Sequence, residues 1–217
     1  MAEKQWFEKE AFWVNYGPIM FDTSRWAEAP TVAESICKIA GLSEGSSILD
    51  AGCGPGRISV ELALNKLAVT GVDLIEPFLE AAKESAKDEG VEIDFVQADL
   101  RTYQAKHKFD AAVNLYTSFG YCDTIEEDIQ ILKRIADSLK DGGFFILESL
   151  SRENAVRDFI EGEWFERAGK IVLTEFSVEG AWEGLRGYEK LIVGSKEEYE
   201  RILAARNKAA ETEEVAE

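Results

Sequence analysis

The run Asp50-Ala51-Gly52-Cys53-Gly54-Pro55-Gly56 places three glycines at alternate positions directly after a carboxylate. Glycine lets the backbone approach a ligand closely and adopt positive φ. A helix opening just after such a loop adds backbone donors and the positive end of its dipole. That chemistry suits a phosphate or a carboxylate. The spacing narrows it. A dinucleotide loop needs G-x-G-x-x-G, and here Arg57 stands at the third glycine position, with Gly56 one residue early. No G-x-x-x-x-G-K-[ST] is present, which argues against a P-loop.

Asp73 closes the next apolar run, Ala68-Val69-Thr70-Gly71-Val72. A carboxylate there can accept both hydroxyls of an adenosine ribose, as an acid does at a similar place in NAD sites. Asp73 therefore points to a nucleoside without choosing between cofactors. Asp99 closes the run after that, and Asn114 to Tyr121 closes the fourth with polar and aromatic groups. Acids at the carboxyl ends of successive parallel strands face the crevice where open α/β sheets bind ligands.

The elements that must position these residues alternate strand and helix. Strands are predicted at 47–50, 68–73, 93–99, 109–114 and 144–148, and helices at 31–40, 57–65, 77–89 and 126–139. Short strands apolar on both faces imply a parallel sheet covered by helices on both sides. The expected fold is a three-layer α/β Rossmann-like sandwich, a mostly parallel sheet of order 3-2-1-4-5 plus a C-terminal antiparallel hairpin. One domain is expected over 1–217. Residues 1–30 form an aromatic N-terminal segment, 45–150 the core, 168–194 the hairpin and 195–217 a charged helical tail.

With 42 acidic against 24 basic residues and a net charge of −18, a large nucleic-acid footprint is not expected. Cys37, Cys53 and Cys122 are odd in number and widely spaced, which suggests free thiols rather than a disulfide framework or a zinc site. No metal site and no membrane partner are expected. The start Met-Ala-Glu-Lys-Gln-Trp lacks a signal-peptide pattern, and a cytoplasmic setting follows.

The glycine loop, the Thr70-Gly71-Val72-Asp73 strand end and the Gln97-Ala98-Asp99-Leu100 segment together resemble the class I S-adenosylmethionine (SAM) dependent methyltransferases of small-molecule type. The resemblance covers about Trp6 to Val193, with its specific part at Ile48–Glu148. It implies SAM as cofactor and a small-molecule methyl acceptor. Gly52, Cys53 and Gly54 would border the methionine portion, with Asp50 beneath it. Asp73 would hold the ribose diol and Leu74 would pack on the adenine, whose edge would meet Asp99 and Leu100. Asn114 and Leu115 would line the floor near the sulfonium. Tyr16, Arg25 and Trp26 resemble the family's N-terminal lid.

No convincing general base stands out. His107 sits between Lys106 and Lys108 and reads as surface, and Ile58 stands where many resembling sequences have histidine. Tyr121 and Glu148 are the catalytic candidates. Beyond Val193 nothing has strand character, although the family sheet normally has seven strands. Either the hairpin is the sheet's own edge pair, or the last edge strands are lacking and the fifth strand offers an edge for a homodimer. The alternatives to a transferase are a SAM-binding protein without turnover and an NAD(P)-dependent oxidoreductase.

Overall fold

The structure, a computed structural model, describes residues 4–116, 118–167, 170–179, 184–193 and 201. The chain divides into two compact units, 1–149 and 150–217.

The first unit begins with a short 3-10 turn, Trp6–Glu8, then α1 (Glu10–Met20) and α2 (Thr23–Ala40). The sequence placed this helix at 31–40; α2 instead starts eight residues earlier and runs through Pro30. Asp22 caps it, accepting the Arg25 amide at 3.1 Å. Ala29, Ala33, Ile36 and Ala40 make a continuous buried stripe along it. That burial offsets the hydrogen bond an interior proline removes.

The sheet strands are β1 (Ser47–Ala51), β2 (Ala68–Asp73), β3 (Asp94–Gln97), β4 (Phe109–Asn114) and β5 (Leu139–Leu147). Between them lie α3 (Arg57–Leu64), α4 (Glu76–Asp88) and α5 (Ile125–Ser138). The order is β3-β2-β1-β4-β5 and every pairing is parallel, matching the expected order. Alternation along the strands divides the core. Ile48, Val69, Ala111 and Val113 join α2 and α3 on one face. Leu49, Val72 and Ala112 join Ile131 and Ile135 of α5 on the other.

β5 is longer than the sequence suggested. Asp141-Gly142-Gly143, ahead of the strand expected at 144–148, lies within it at a register shift opposite the Phe109–Ala111 step of β4. Gly56 also has a role the sequence did not suggest. A Cβ there would lie 2.6 Å from Ala82 Cβ of α4, so this glycine serves helix packing rather than a ligand.

The second unit holds α6 (Arg152–Arg157), β6 (Gly162–Arg167), β7 (Lys170–Glu179) and β8 (Gly184–Val193). The expected hairpin is present as β7 and β8, paired antiparallel. β6, which the sequence reading missed, pairs with β7 to make a separate three-stranded sheet. The hairpin is thus not the edge pair of the parallel sheet, and among the described residues β5 is that sheet's outer strand. The expected helical tail at 195–217 lies outside the described residues apart from Arg201. No helix among the described residues is long and apolar enough to cross a membrane.

Gly56→Ala should lower unfolding free energy by about 2–4 kcal/mol, from left-handed strain plus overpacking against Ala82. Gly142 has the same positive φ but nothing within 4 Å of its Cβ position, so Gly142→Ala isolates the strain. Its cost should be about 1 kcal/mol. Urea midpoints of the two variants measure the difference.

Candidate functional site

The loops leaving β1, β2, β3 and β4 converge on one cleft of about 1070 Å³, its open mouth included. The N-terminal segment contributes Phe7, Trp13, Met20 and Phe21, and α4 contributes Phe78.

The glycine loop is tied down by its own backbone. Gly52 and Cys53 both donate to the Val72 carbonyl, at 2.8 and 3.0 Å, and Gly56 donates to the Cys53 carbonyl at 3.0 Å. The Gly54 amide donates to Asp73 Oδ2 at 2.8 Å. Four amide donors of the loop are therefore already used. The loop offers close approach of backbone but few donors, which does not suit a phosphate. This adds a structural reason, beside Arg57, against a dinucleotide.

Asp73 is correspondingly fixed. Its Oδ1 accepts the Ile75 amide at 2.8 Å while Oδ2 holds Gly54. A carboxylate has about four acceptor positions, so roughly two remain to meet a diol. Burial pushes its carboxyl above the ordinary range, against the amides of Ile75 and Gly54. Asp50 is 3% exposed and accepts the Ser59 hydroxyl at 2.6 Å. Burial, reinforced by the charge of Asp73, lifts Asp50 from 3.8 to about 6 against the opposing effects of Ser59 and Arg57.

Of the residues the sequence singled out, Asp50, Gly52, Cys53, Gly54, Asp73, Leu74, Asp99, Leu100, Leu115 and Tyr121 line the cleft. Asn114, Tyr16, Arg25, Trp26 and Glu148 are not among its lining residues. Asn114 is 1% exposed and braces β1 from behind, its Nδ2 donating to the Ala51 carbonyl at 2.6 Å. Tyr16 is buried with its ring 5.4 Å from Phe12. Arg25 pairs with Glu28 at 3.1 Å near the start of α2, and Trp26 is half-exposed beside it. Glu148 is exposed and accepts the Tyr116 amide at 3.3 Å.

Sequence reasoning missed the two basic residues lining the cleft, Arg57 and Arg101, and an ion cluster around the second. Arg101 makes paired contacts with Asp99, through Nε at 2.9 Å and through Nη2. The same guanidinium reaches Glu127 at 3.0 Å and Glu8 through Nη2, and lies over the Phe7 ring at 5.3 Å. Gln5 donates to Glu127 at 3.2 Å. Burial would raise the Asp99 carboxyl, but the Arg101 side chain and amide outweigh it and hold Asp99 below its ordinary value. The Asp-x-Arg spacing was the available signal. Its partners Glu8 and Glu127 are far away in sequence and gave none.

The aromatic N-terminus closes over the same end of the sheet. The Tyr121 ring sits 4.7 Å from Trp6 and 6.2 Å from Trp13. Trp13 donates to the Phe7 carbonyl at 2.7 Å. Phe78 meets Trp13 at 6.0 Å and Phe21 at 5.4 Å. A Cβ on Gly54 would lie 3.3 Å from Phe21, so this ring roofs the glycine loop.

The class this geometry defines is the doubly wound, Rossmann-like nucleoside-binding fold with its cleft at the switch point beside β1. Within it, residues 48–143 match the family model described as a methyltransferase domain. The chain is 31% identical over 142 residues to a protein of Geobacillus sp. (strain WCH70) described as a methyltransferase, covering 65% of this chain and 56% of that one. It is 30% identical over 118 residues to the ubiquinone biosynthesis O-methyltransferase of Escherichia coli, covering 54% of this chain and 48% of that one. It thus spans about half the length of these curated relatives. In fold it is similar to an S-adenosylmethionine-dependent methyltransferase from Clostridium acetobutylicum, with TM-score 0.60, 17% identity and coverage of 89% and 85%.

Two measurements probe the site's electrostatics. Asp50 binds its proton more tightly folded than unfolded, so its stabilising contribution is complete below pH 3.8 and is lost as pH rises through about 6. Asp50→Asn keeps an acceptor for Ser59, so it should gain on the parent by on the order of 2–3 kcal/mol between pH 4 and pH 7. Paired unfolding curves at the two pH values check this. Arg101→Met leaves three carboxylates facing one another and should cost about 1–3 kcal/mol, discounted because solvent reaches the cluster. Tryptophan fluorescence should shift as the turn carrying Trp6 loosens, and 1 M salt should shrink the deficit.

Proposed function

We propose that the cleft binds SAM and that the protein transfers its methyl group to a small-molecule acceptor. The observation that carries this reading is Asp73, an acid at the end of β2, held by Gly54 and Ile75 and lining the cleft beside the glycine loop. The residues present fit the cofactor. Asp73 retains acceptor capacity for a ribose diol, Leu74 and Leu100 offer apolar faces for the base, and Gly52 and Gly54 admit close approach of the methionine chain. SAM supplies an already activated methyl group on a sulfonium. The protein's own contribution is alignment of the acceptor for in-line displacement and exclusion of water, and orientation of this kind lowers barriers by ~7–11 kcal/mol. Phe7, Trp13, Phe21, Phe78 and Tyr121 supply the apolar walls. Their ring faces favour a cation by cation–π attraction.

Binding without turnover is the second reading, and specific placements favour it. Glu148 is not among the lining residues. Tyr121 lines the cleft but its ring is packed among Trp6, Phe7 and Trp13. A transferase of this design therefore acts best on an acceptor that needs little help losing its proton. We also propose homodimer formation along β5, where Phe144 and Leu147 are exposed on the outer strand. A stable monomer at micromolar concentration by light scattering would count against it. The unpaired Cys37, Cys53 and Cys122 support a cytoplasmic setting.

Calorimetry with SAM, S-adenosylhomocysteine and NADH tests the reading. Both adenosyl ligands should bind and NADH should not; NADH binding alone would overturn it. Asp73→Ala should weaken adenosyl binding by about 1–3 kcal/mol, the usual penalty for orphaning polar partners. Unchanged affinity would show the ribose assignment to be wrong. A labelled-methyl assay over metabolite pools then separates transfer from binding alone.

A further inference from the structure

Arg57 is the first residue of α3 and is 4% exposed, yet its polar contacts all fall on one nitrogen. Nη1 donates to the Arg25 carbonyl and to the Tyr116 hydroxyl at 3.3 Å, and it lies 3.5 Å from Glu28 Oε1. The Tyr116 ring covers one face of the guanidinium at 4.1 Å. Nε and Nη2 hold no hydrogen bond to the described protein. They are also not sealed in: among the described residues, the buried polar atoms without partners are Asn114 Oδ1 and Asp128 Oδ1. Arg57 is among the residues that line the cleft.

Burying a guanidinium with unfilled donors is unfavourable unless water or a ligand fills them. Nε and Nη2 form the side-on edge that engages a carboxylate through two parallel bonds. The other basic residue lining the cleft, Arg101, is already taken up by Asp99, Glu8 and Glu127. The glycine loop has used four of its amides internally. Arg57 is therefore the remaining strong anion-binding group of the lining. It stands between β1 and β4: it follows the β1 loop and stacks on Tyr116, two residues past the end of β4.

We propose that Arg57 is an anion-recognition residue of the cleft, its Nε–Nη2 edge taking the carboxylate of a bound molecule side-on. The carboxylate has two sources, the methionine end of the cofactor or an acidic methyl acceptor. The first rests on the SAM reading above; the second does not.

The test compares the parent with Arg57→Met, which keeps the apolar stem, and Arg57→Lys, which keeps the charge but not the fork. Circular dichroism and melting establish that each is folded. Four probes are titrated calorimetrically: S-adenosylhomocysteine, 5′-methylthioadenosine (which lacks the amino-acid end), and benzoate and benzamide. The last two are added to protein both with and without S-adenosylhomocysteine. If the cofactor supplies the carboxylate, Arg57→Met binds S-adenosylhomocysteine about tenfold to a hundredfold more weakly and methylthioadenosine within about twofold of the parent. If the acceptor supplies it, S-adenosylhomocysteine affinity holds while benzoate binding is lost and benzamide is unaffected. In either case Arg57→Lys recovers part of the loss. Equal losses for S-adenosylhomocysteine and methylthioadenosine, or no loss for S-adenosylhomocysteine or benzoate, overturn the proposal. A parent that binds neither adenosyl compound overturns the SAM reading alone, and benzoate against benzamide still decides the role of Arg57.

Discussion

The carboxylate of Asp73 is the constraint on which the cleft depends. It ends β2 and reaches sideways to the Gly54 amide while holding the Ile75 amide with its other oxygen. One side chain thereby sets the shape of the β1 loop and the path from β2 into α4. The Val72 carbonyl, one residue earlier, receives Gly52 and Cys53. The loop is anchored to β2 more than to the helix that follows it. Once its amides are committed in this way, the loop is a rigid concave surface of backbone with few spare donors. That disfavours a ligand that brings phosphates to the loop.

Charge is the second organising theme. The chain carries a net charge of −18, and its cleft gathers Asp50, Asp73 and Asp99 at successive strand ends. Each acid is managed differently. Asp50 is buried against Ser59 and lifted to about 6. Asp73 is held by backbone amides. Asp99 is neutralised by Arg101, which at the same time fastens Glu8 of the N-terminal turn and Glu127 of α5. An acid proposed to read the adenine edge is thus also the anchor of the aromatic cover. A ligand that engaged Asp99 would share that carboxylate with Arg101, the group that also holds Glu8.

The strand-and-helix rhythm and the sheet order were legible because parallel strands buried on both faces leave apolar runs, three of them closed by an aspartate. Ile48, Leu49, Val72, Ala112 and Val113 are buried as those runs imply. What was not legible depends on contacts between residues distant in sequence. Arg57 read only as the residue that spoils a dinucleotide motif, since its stack on Tyr116 becomes visible only when β1 and β4 lie side by side. Gly56 read only as a spacing mark against a dinucleotide loop, because the approach of Ala82 depends on how α3 and α4 pack. Asn114 read as a floor residue, yet the pleat turns its amide back to the Ala51 carbonyl. β6 escaped notice because its exposed Trp164 and charged neighbours lack a clean period-two pattern.

The arrangement separates what holds a ligand from what would act on it. The groups with defined hydrogen-bond geometry lie on the β1, β2 and β3 side, where Asp50, Asp73 and Asp99 are all tied in place. Beyond β4 the lining is mostly aromatic and aliphatic: Leu115, Tyr116, Tyr121 and Ile131. Tyr116 adopts a positive φ of 55°, uncommon for a bulky residue, and its ring lies against Arg57 at 4.1 Å. Such a backbone persists only where the surroundings over-determine it. Here those surroundings are the Glu148 contact to its amide and the Arg57 stack on its ring. The strain therefore places a ring and a cation together at the β4 side of the cleft. An apolar wall with an oriented guanidinium discriminates by the position of one charge on an otherwise apolar molecule.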